Sequence, residues 1–169
     1  AVDCRNGRNP PSESAACQVL ISTMTLIKNA RIIRGGTIET GSAAYENGIL
    51  TEPPDDIKKA GEVIDARGLY LSTGFIDIHS HGGGGYDFLD ATEEAFLGAA
   101  ETHARHGTTT IIPTATSGTF EETISMIKVF ESARLVKADG ADMPGLHLEG
   151  PYFSLKQCGA QDPKLVRLP

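Results

Sequence analysis

This sequence predicts an α/β fold with a parallel sheet, entered through a smaller all-β segment, and three observations predict it. After Ser72, apolar strand-like runs alternate with amphipathic helical stretches, which is the pattern of βαβ units. Before it, short apolar runs are broken by Gly35-Gly36 and Asn47-Gly48, dipeptides suited to tight hairpin turns. Two of the later runs also end in imidazoles and a carboxylate, as strands of parallel barrels do where they open into a site. The 169 residues suffice to bury the core of one domain or slightly more.

Taken in order, residues 1–23, "AVDCRNGRNPPSESAACQVLIST", are rich in Pro, Ser, Asn and Gly and hold one short apolar patch. The patch is too short for a signal peptide, so this stretch is expected to be a disordered leader foreign to the native protein. At Met24 the texture changes to "MTLIKNARIIRGG". From there to residue 72, several short strands and a turn near Ile57 to Ala60 make a small β unit. "GFIDIH" begins the alternating part as its first strand. Asp90 with Glu93 fits a capping box for the helix "ATEEAFLGAAETHARHG", and Gly107 fits its C′ position. "TTTIIPT" is the second strand. Thr119 with Glu122 caps "FEETISMIKVFESARLVK", whose Ile124, Ile127 and Phe130 recur at helical spacing. "GLHLEGP" is the third strand.

Composition narrows the function classes. A net charge of -7 with no basic cluster argues against a general nucleic-acid or anionic-membrane surface, but not against an anionic small substrate. No apolar run approaches the roughly 18 residues of a membrane span. Cys4, Cys17 and Cys158 are scattered, without C-x-x-C spacing, which suits neither a disulfide framework nor a cysteine metal site and points to a reducing cytoplasm.

Side chains alternate along a strand, so Asp77, His79 and His81 share one face of the first strand, opposite Ile76 and Ile78. In the third strand His147 and Glu149 share a face, opposite Leu146 and Leu148. The apolar face is expected to pack on helices and the polar one to point into the site. His79 and His81, two apart, can turn imidazole nitrogens toward one cation at about 2.0–2.1 Å, and Glu149 can add an oxygen suited to zinc, iron or manganese. Gly82 to Gly85 would then let the loop backbone come close to metal or substrate. A satisfied polar core is the other reading, and spacing alone leaves both open. His103 and His106 on the first helix are expected to serve its dipole and last carbonyls. His147 is expected to orient a ligand or the substrate rather than to bind metal. The glycine run "HGGGGYD" is not a phosphate-binding fingerprint.

"GFIDIHSHG", "HGTTTIIPT" and "GLHLEGPYF" followed by "CGAQDPKLVR" resemble the N-acetylglucosamine-6-phosphate deacetylases of the amidohydrolase superfamily, from about Met24 to Pro169. H-x-H after an apolar strand is common to the whole superfamily, whereas "HLEGP" with "GAQDP" is narrower. The resemblance implies a metal-dependent (β/α)8 TIM barrel preceded by part of a small β-sandwich. Residues 24–72 would belong to the sandwich, and 73–169 would be the first three β/α units of the barrel. It further implies that Glu149 binds metal, that His79 and His81 bind a second ion in members retaining both, and that Ala160 meets the sugar through its backbone. Gln161 is the second substrate-binding position the resemblance implies, though it stands where many members have His, and Thr73 stands where proline is common.

The implied reaction is hydrolysis of the acetamide of N-acetylglucosamine 6-phosphate to glucosamine 6-phosphate and acetate. It would use one or two divalent cations, zinc first and iron or manganese as alternatives, which lower the pKa of a water and polarise the amide carbonyl. The family's general-base aspartate is expected beyond Pro169, which makes this chain an N-terminal part of the enzyme, inactive alone. The full-length enzyme is expected to be a cytoplasmic homodimer acting on a phosphorylated amino sugar, without nucleic-acid or membrane partners. Two alternatives stand beside it: another amidohydrolase, such as a cyclic amidase or deaminase, and a non-catalytic relative serving as a binding or assembly module.

Overall fold

The structure, a computed structural model, describes residues 24–167; the expected leader lies outside them. The described residues are α/β, and contacts divide the chain into two compact units between Ser72 and Thr73.

In the first unit β1 (Thr25–Arg34) and β2 (Thr37–Glu46) form an antiparallel hairpin, and β2 pairs in turn with β3 (Ile49–Thr51). Both connections are two residues long. Gly35 and Gly36 take φ of 57° and 81°, and Asn47 and Gly48 take 52° and 81°. Positive φ at both central residues is what a turn matched to strand twist demands, so the two dipeptides set the hairpins. β4 (Glu62–Asp65) and β5 (Tyr70–Leu71) add parallel to β1, giving a five-stranded sheet. A short 3-10 turn at Ile57–Lys59 stands where a turn was expected. In β1, Asn29 (φ 56°) interrupts the pairing between Ile27 and Ala30, and its amide donates to Asp65 Oδ1 at 2.9 Å. Leu26, Ala30, Ala43 and Ala44 are buried here.

The second unit holds the alternating pattern. β6 (Phe75–Ser80) leads to a small hairpin of β7 (Gly82–Gly83) and β8 (Tyr86–Asp87), then to α1 (Glu93–Arg105). β9 (Thr108–Ala115), α2 (Phe120–Ala133) and β10 (His147–Leu148) follow. The sheet order is β10-β9-β6, with both neighbouring pairs parallel. Phe88, Phe96, Ile111, Met126 and Phe130 form the buried core that joins the helices to β9.

Several expectations meet a different outcome. Thr92, not Asp90, caps α1, its hydroxyl accepting from Ala95 N at 3.1 Å. Asp90 belongs to the preceding 3-10 turn, where it completes a capping box with Asp87. Gly107 does sit just past the C-cap His106 with φ 92°, as expected. Thr119 and Glu122 form the expected reciprocal box on α2. The buried stripe of that helix is Met126, Phe130 and Ala133, however, while Ile124 and Ile127 are half-buried and line a cleft. Ile76 and Ile78 are 69% and 71% exposed instead of packing on helices. The reason is positional: β6 is an edge of its sheet, and the two helices among the described residues have their buried side chains on the central strand β9.

Candidate metal centre

His79 and His81 leave the end of β6 on the same side and meet Glu149, which follows β10 directly. The Nε2 atoms of His79 and His81 lie 3.1 and 3.3 Å from one carboxylate oxygen, Oε2 of Glu149. One donor atom from each of the three residues falls within 4.8 Å of the others. The two strands are not hydrogen-bonded neighbours; β9 stands between them and sets their spacing.

The tautomer of His81 can be read from its partner. Nδ1 of His81 lies 3.0 Å from the Thr114 carbonyl, which can only accept, so that nitrogen carries a hydrogen. In the neutral ring Nε2 then offers a lone pair, and it faces a carboxylate oxygen. Oε2 of Glu149 is buried and makes no hydrogen bond among the described residues, although two imidazoles stand beside it. A buried acceptor left without a donor costs roughly 1–3 kcal/mol. Lone pairs turned toward one another are stable when a cation lies between them. Ligand bonds of about 2.0–2.2 Å in a tetrahedral arrangement put donor atoms roughly 3.3–3.5 Å apart, close to the 3.1 and 3.3 Å that separate the two imidazole nitrogens from Glu149 Oε2. The residues therefore fit a divalent cation, and a carbonyl holding the far nitrogen of a ligating imidazole is the usual support for one.

The surroundings hold this geometry. Thr114 is buried in β9; its hydroxyl donates to Ile112 O at 3.1 Å and accepts Ser80 N–H at 3.3 Å, so the residue between the two histidines is tied to the central strand. Asp77 does not reach the cluster but accepts the backbone N–H of His79 at 3.1 Å. His147 stands edge-on to His79 with ring centroids 5.0 Å apart, beside the trio rather than in it.

The glycine run has another explanation than close approach to a metal or substrate. A Cβ on Gly82 would collide with the Tyr86 carbonyl, and one on Gly84 (φ 64°) with the Thr102 hydroxyl of α1. The glycines make a tight hairpin that lies against the helix. His106 follows expectation, its Nδ1 2.8 Å from the Thr102 carbonyl. His103 does not: its Nε2 lies 3.0 Å from Gly82 O and 3.2 Å from Ser80 Oγ, an engagement that helical position alone did not reveal.

Beside Glu149 opens a cleft of about 220 Å³, walled by Ser117, Ile124, Ile127, Leu148, Tyr152 and Arg167 among others. Gln161, from the loop after β10, accepts Ser117 N–H at 2.8 Å through Oε1 and so pins that loop to the end of β9. Ala160 precedes it, exposed.

The model described as the amidohydrolase family matches residues 70–168. N-acetylglucosamine-6-phosphate deacetylase of Mus musculus is 32% identical over 149 residues, 82% of this chain and 36% of the mouse protein. The Homo sapiens protein of the same name is 33% identical over 142 residues, 78% of this chain and 34% of its own length. The crystal structure of N-acetylglucosamine-6-phosphate deacetylase from Pasteurella multocida superposes with a TM-score of 0.73 at 27% identity, over 85% of this chain and 38% of that one. The chain thus spans little more than a third of the length of these relatives.

Proposed function

This chain belongs to the amidohydrolase family, and from that premise we propose that the polypeptide carrying it is a metal-dependent N-acetylglucosamine-6-phosphate deacetylase. It would hydrolyse the acetamide of the sugar to glucosamine 6-phosphate and acetate. The observation that carries the metal-dependent part is the convergence of His79, His81 and Glu149, with a buried carboxylate oxygen that has no hydrogen bond among the described residues. The substrate is supported by the relatives' names and by "HLEGP" with "GAQDP".

His79 and His81 would hold the ion through Nε2 and Glu149 through its carboxylate, with zinc first and iron or manganese as alternatives, one ion or two. When bound, a divalent cation supplies Lewis acidity toward the amide carbonyl and lowers the pKa of a water to near neutrality. The chain's own residues do the positioning. The Thr114 carbonyl keeps the hydrogen of His81 on Nδ1, so that Nε2 stays free to bind. Thr114 Oγ1 holds the main chain at Ser80. Gln161 fastens the loop on which Ala160 would meet the sugar through its backbone. On this reading residues 24–72 are the first part of a β-sandwich and 73–169 the first three units of a (β/α)8 barrel. The whole protein would work as a cytoplasmic homodimer.

The test is a turnover assay of the full-length polypeptide that contains these residues. It offers N-acetylglucosamine 6-phosphate against a cyclic amide and a purine nucleoside, before and after chelation. Acetate release from the amino sugar alone, lost with chelator and restored by zinc, is the expected result. Turnover of the cyclic amide or the nucleoside instead would move the protein to another branch of the family, and chelator-insensitive turnover would remove the metal from the reading.

A further inference from the structure

We propose that His103 of α1 is a positioning residue for the cation site, clamping the backbone between and just beyond the two histidine ligands. The proposal rests on the metal-binding reading above. Ser80 lies between His79 and His81, and Gly82 follows directly. The Gly82 carbonyl can only accept, so Nε2 of His103, 3.0 Å away, must carry the hydrogen and donate it. The Ser80 hydroxyl donates to the same carbonyl at 2.9 Å and stands 3.2 Å from the same imidazole nitrogen. One ring thus gathers a side chain and a carbonyl from either side of His81.

The main chain at Ser80 is held a second time by Thr114 Oγ1 of β9, which accepts its N–H at 3.3 Å. The short segment carrying both ligands is therefore gripped between β9 and α1. A glycine run that follows a strand has maximal freedom to lose and no side chains to fix it. Without an anchor, the separation of the two Nε2 atoms would drift with the loop. Gly83 fits the same account, because a Cβ there would come within 3.1 Å of His103 Nε2 and press on the clamp. The competing role for a histidine near a helix C-terminus, capping its last carbonyls, is already filled by His106.

Ligand positioning of this kind is worth roughly 10–100-fold in metal affinity. The test measures Zn2+ affinity by dye competition and the visible absorption of bound Co2+ in the full-length polypeptide. It compares the parent, His103→Leu, His103→Gln, Ser80→Ala and, as the mark of a lost ligand, His79→Ala. His103→Leu is expected to weaken Zn2+ by roughly 10–100-fold and alter the Co2+ spectrum, while His103→Gln, which keeps an N–H donor, stays within a few-fold of the parent. Parent-level affinity in His103→Leu, with His79→Ala impaired, overturns the clamp and leaves the metal site standing. Parent affinity no better than that of His79→Ala overturns the metal reading and the clamp with it. Should His103→Leu fail to fold by far-UV circular dichroism, Ser80→Ala decides: reduced affinity supports the clamp, and unchanged affinity overturns it.

Discussion

On the metal-binding reading, Glu149 concentrates the conflict between stability and function at this site. Its Oε2 is buried beside two imidazole nitrogens without a hydrogen bond among the described residues. The arrangement would then be costly until a cation arrives and favourable afterwards, as a pre-formed ligand set must be. Glu149→Gln separates the two effects. Its amide can donate to the His79 nitrogen, so metal-free stability is expected to rise by about 1 kcal/mol, read from urea unfolding in chelator. Zn2+ affinity is expected to fall by more than the roughly 100-fold that bounds the loss of an indirect support. A variant that lost stability in chelator would show that the carboxylate is already satisfied without metal. The meeting of the trio was legible in the sequence, because H-x-H on a strand and a glutamate at the end of another need only period-two alternation to share a side of the sheet. Its supports were not. Ser80 reaches Thr114 across 34 residues and His103 across 23, and no local pattern encodes a partner that distant.

Among the elements, α2 and the glycine hairpin give the sharpest expectations. The reciprocal bonds at Thr119 and Glu122 satisfy two free N–H groups of α2, and removing the Thr119 hydroxyl as Ala is expected to cost about 1 kcal/mol in thermal or urea unfolding. The Thr119 backbone N–H first, and then its side chain, hold Glu122 below its ordinary pKa of 4.5. A carboxyl whose pKa is depressed by folding stabilises the fold above its unfolded value, and that contribution disappears as pH falls through the folded value. The stability difference between the parent and Glu122→Gln should therefore be full at pH 6 and vanish on acidification below 4.5, whereas a constant difference would place the effect outside the carboxylate. In the hairpin, Gly82 faces the Tyr86 carbonyl and Gly85 faces open space at φ 93°. Gly82→Ala is thus expected to destabilise by about 2–3 kcal/mol more than Gly85→Ala in chelator. Boundaries and caps were readable where a motif is self-contained, as at Thr119-Glu122. They were misread at Asp90, where two overlapping capping patterns compete and the nearer turn takes the aspartate.

At the scale of the whole molecule, the order of strands and helices was apparent from the rhythm of the sequence, while the destination of β6's outer face was not. Ile76 and Ile78 read as helix-facing residues, yet they stand 69% and 71% exposed on an edge strand. Periodicity reports which residues are apolar and which share a face, but what covers that face depends on elements far along a chain. The barrel reading supplies the cover: further strands would pair with the free edge of β6, and helices would close over the isoleucines. It predicts opposite signs for one substitution in two settings. In the 169-residue chain alone, Ile78→Lys is expected to reduce self-association, measured by sedimentation velocity, because it breaks an exposed apolar edge. In the full-length polypeptide the same lysine would be forced into a packed layer, and a loss of about 3 kcal/mol or more, with falling soluble yield, is expected. A lysine tolerated in both settings would mean that this face stays open to water and that the strands do not close into a barrel.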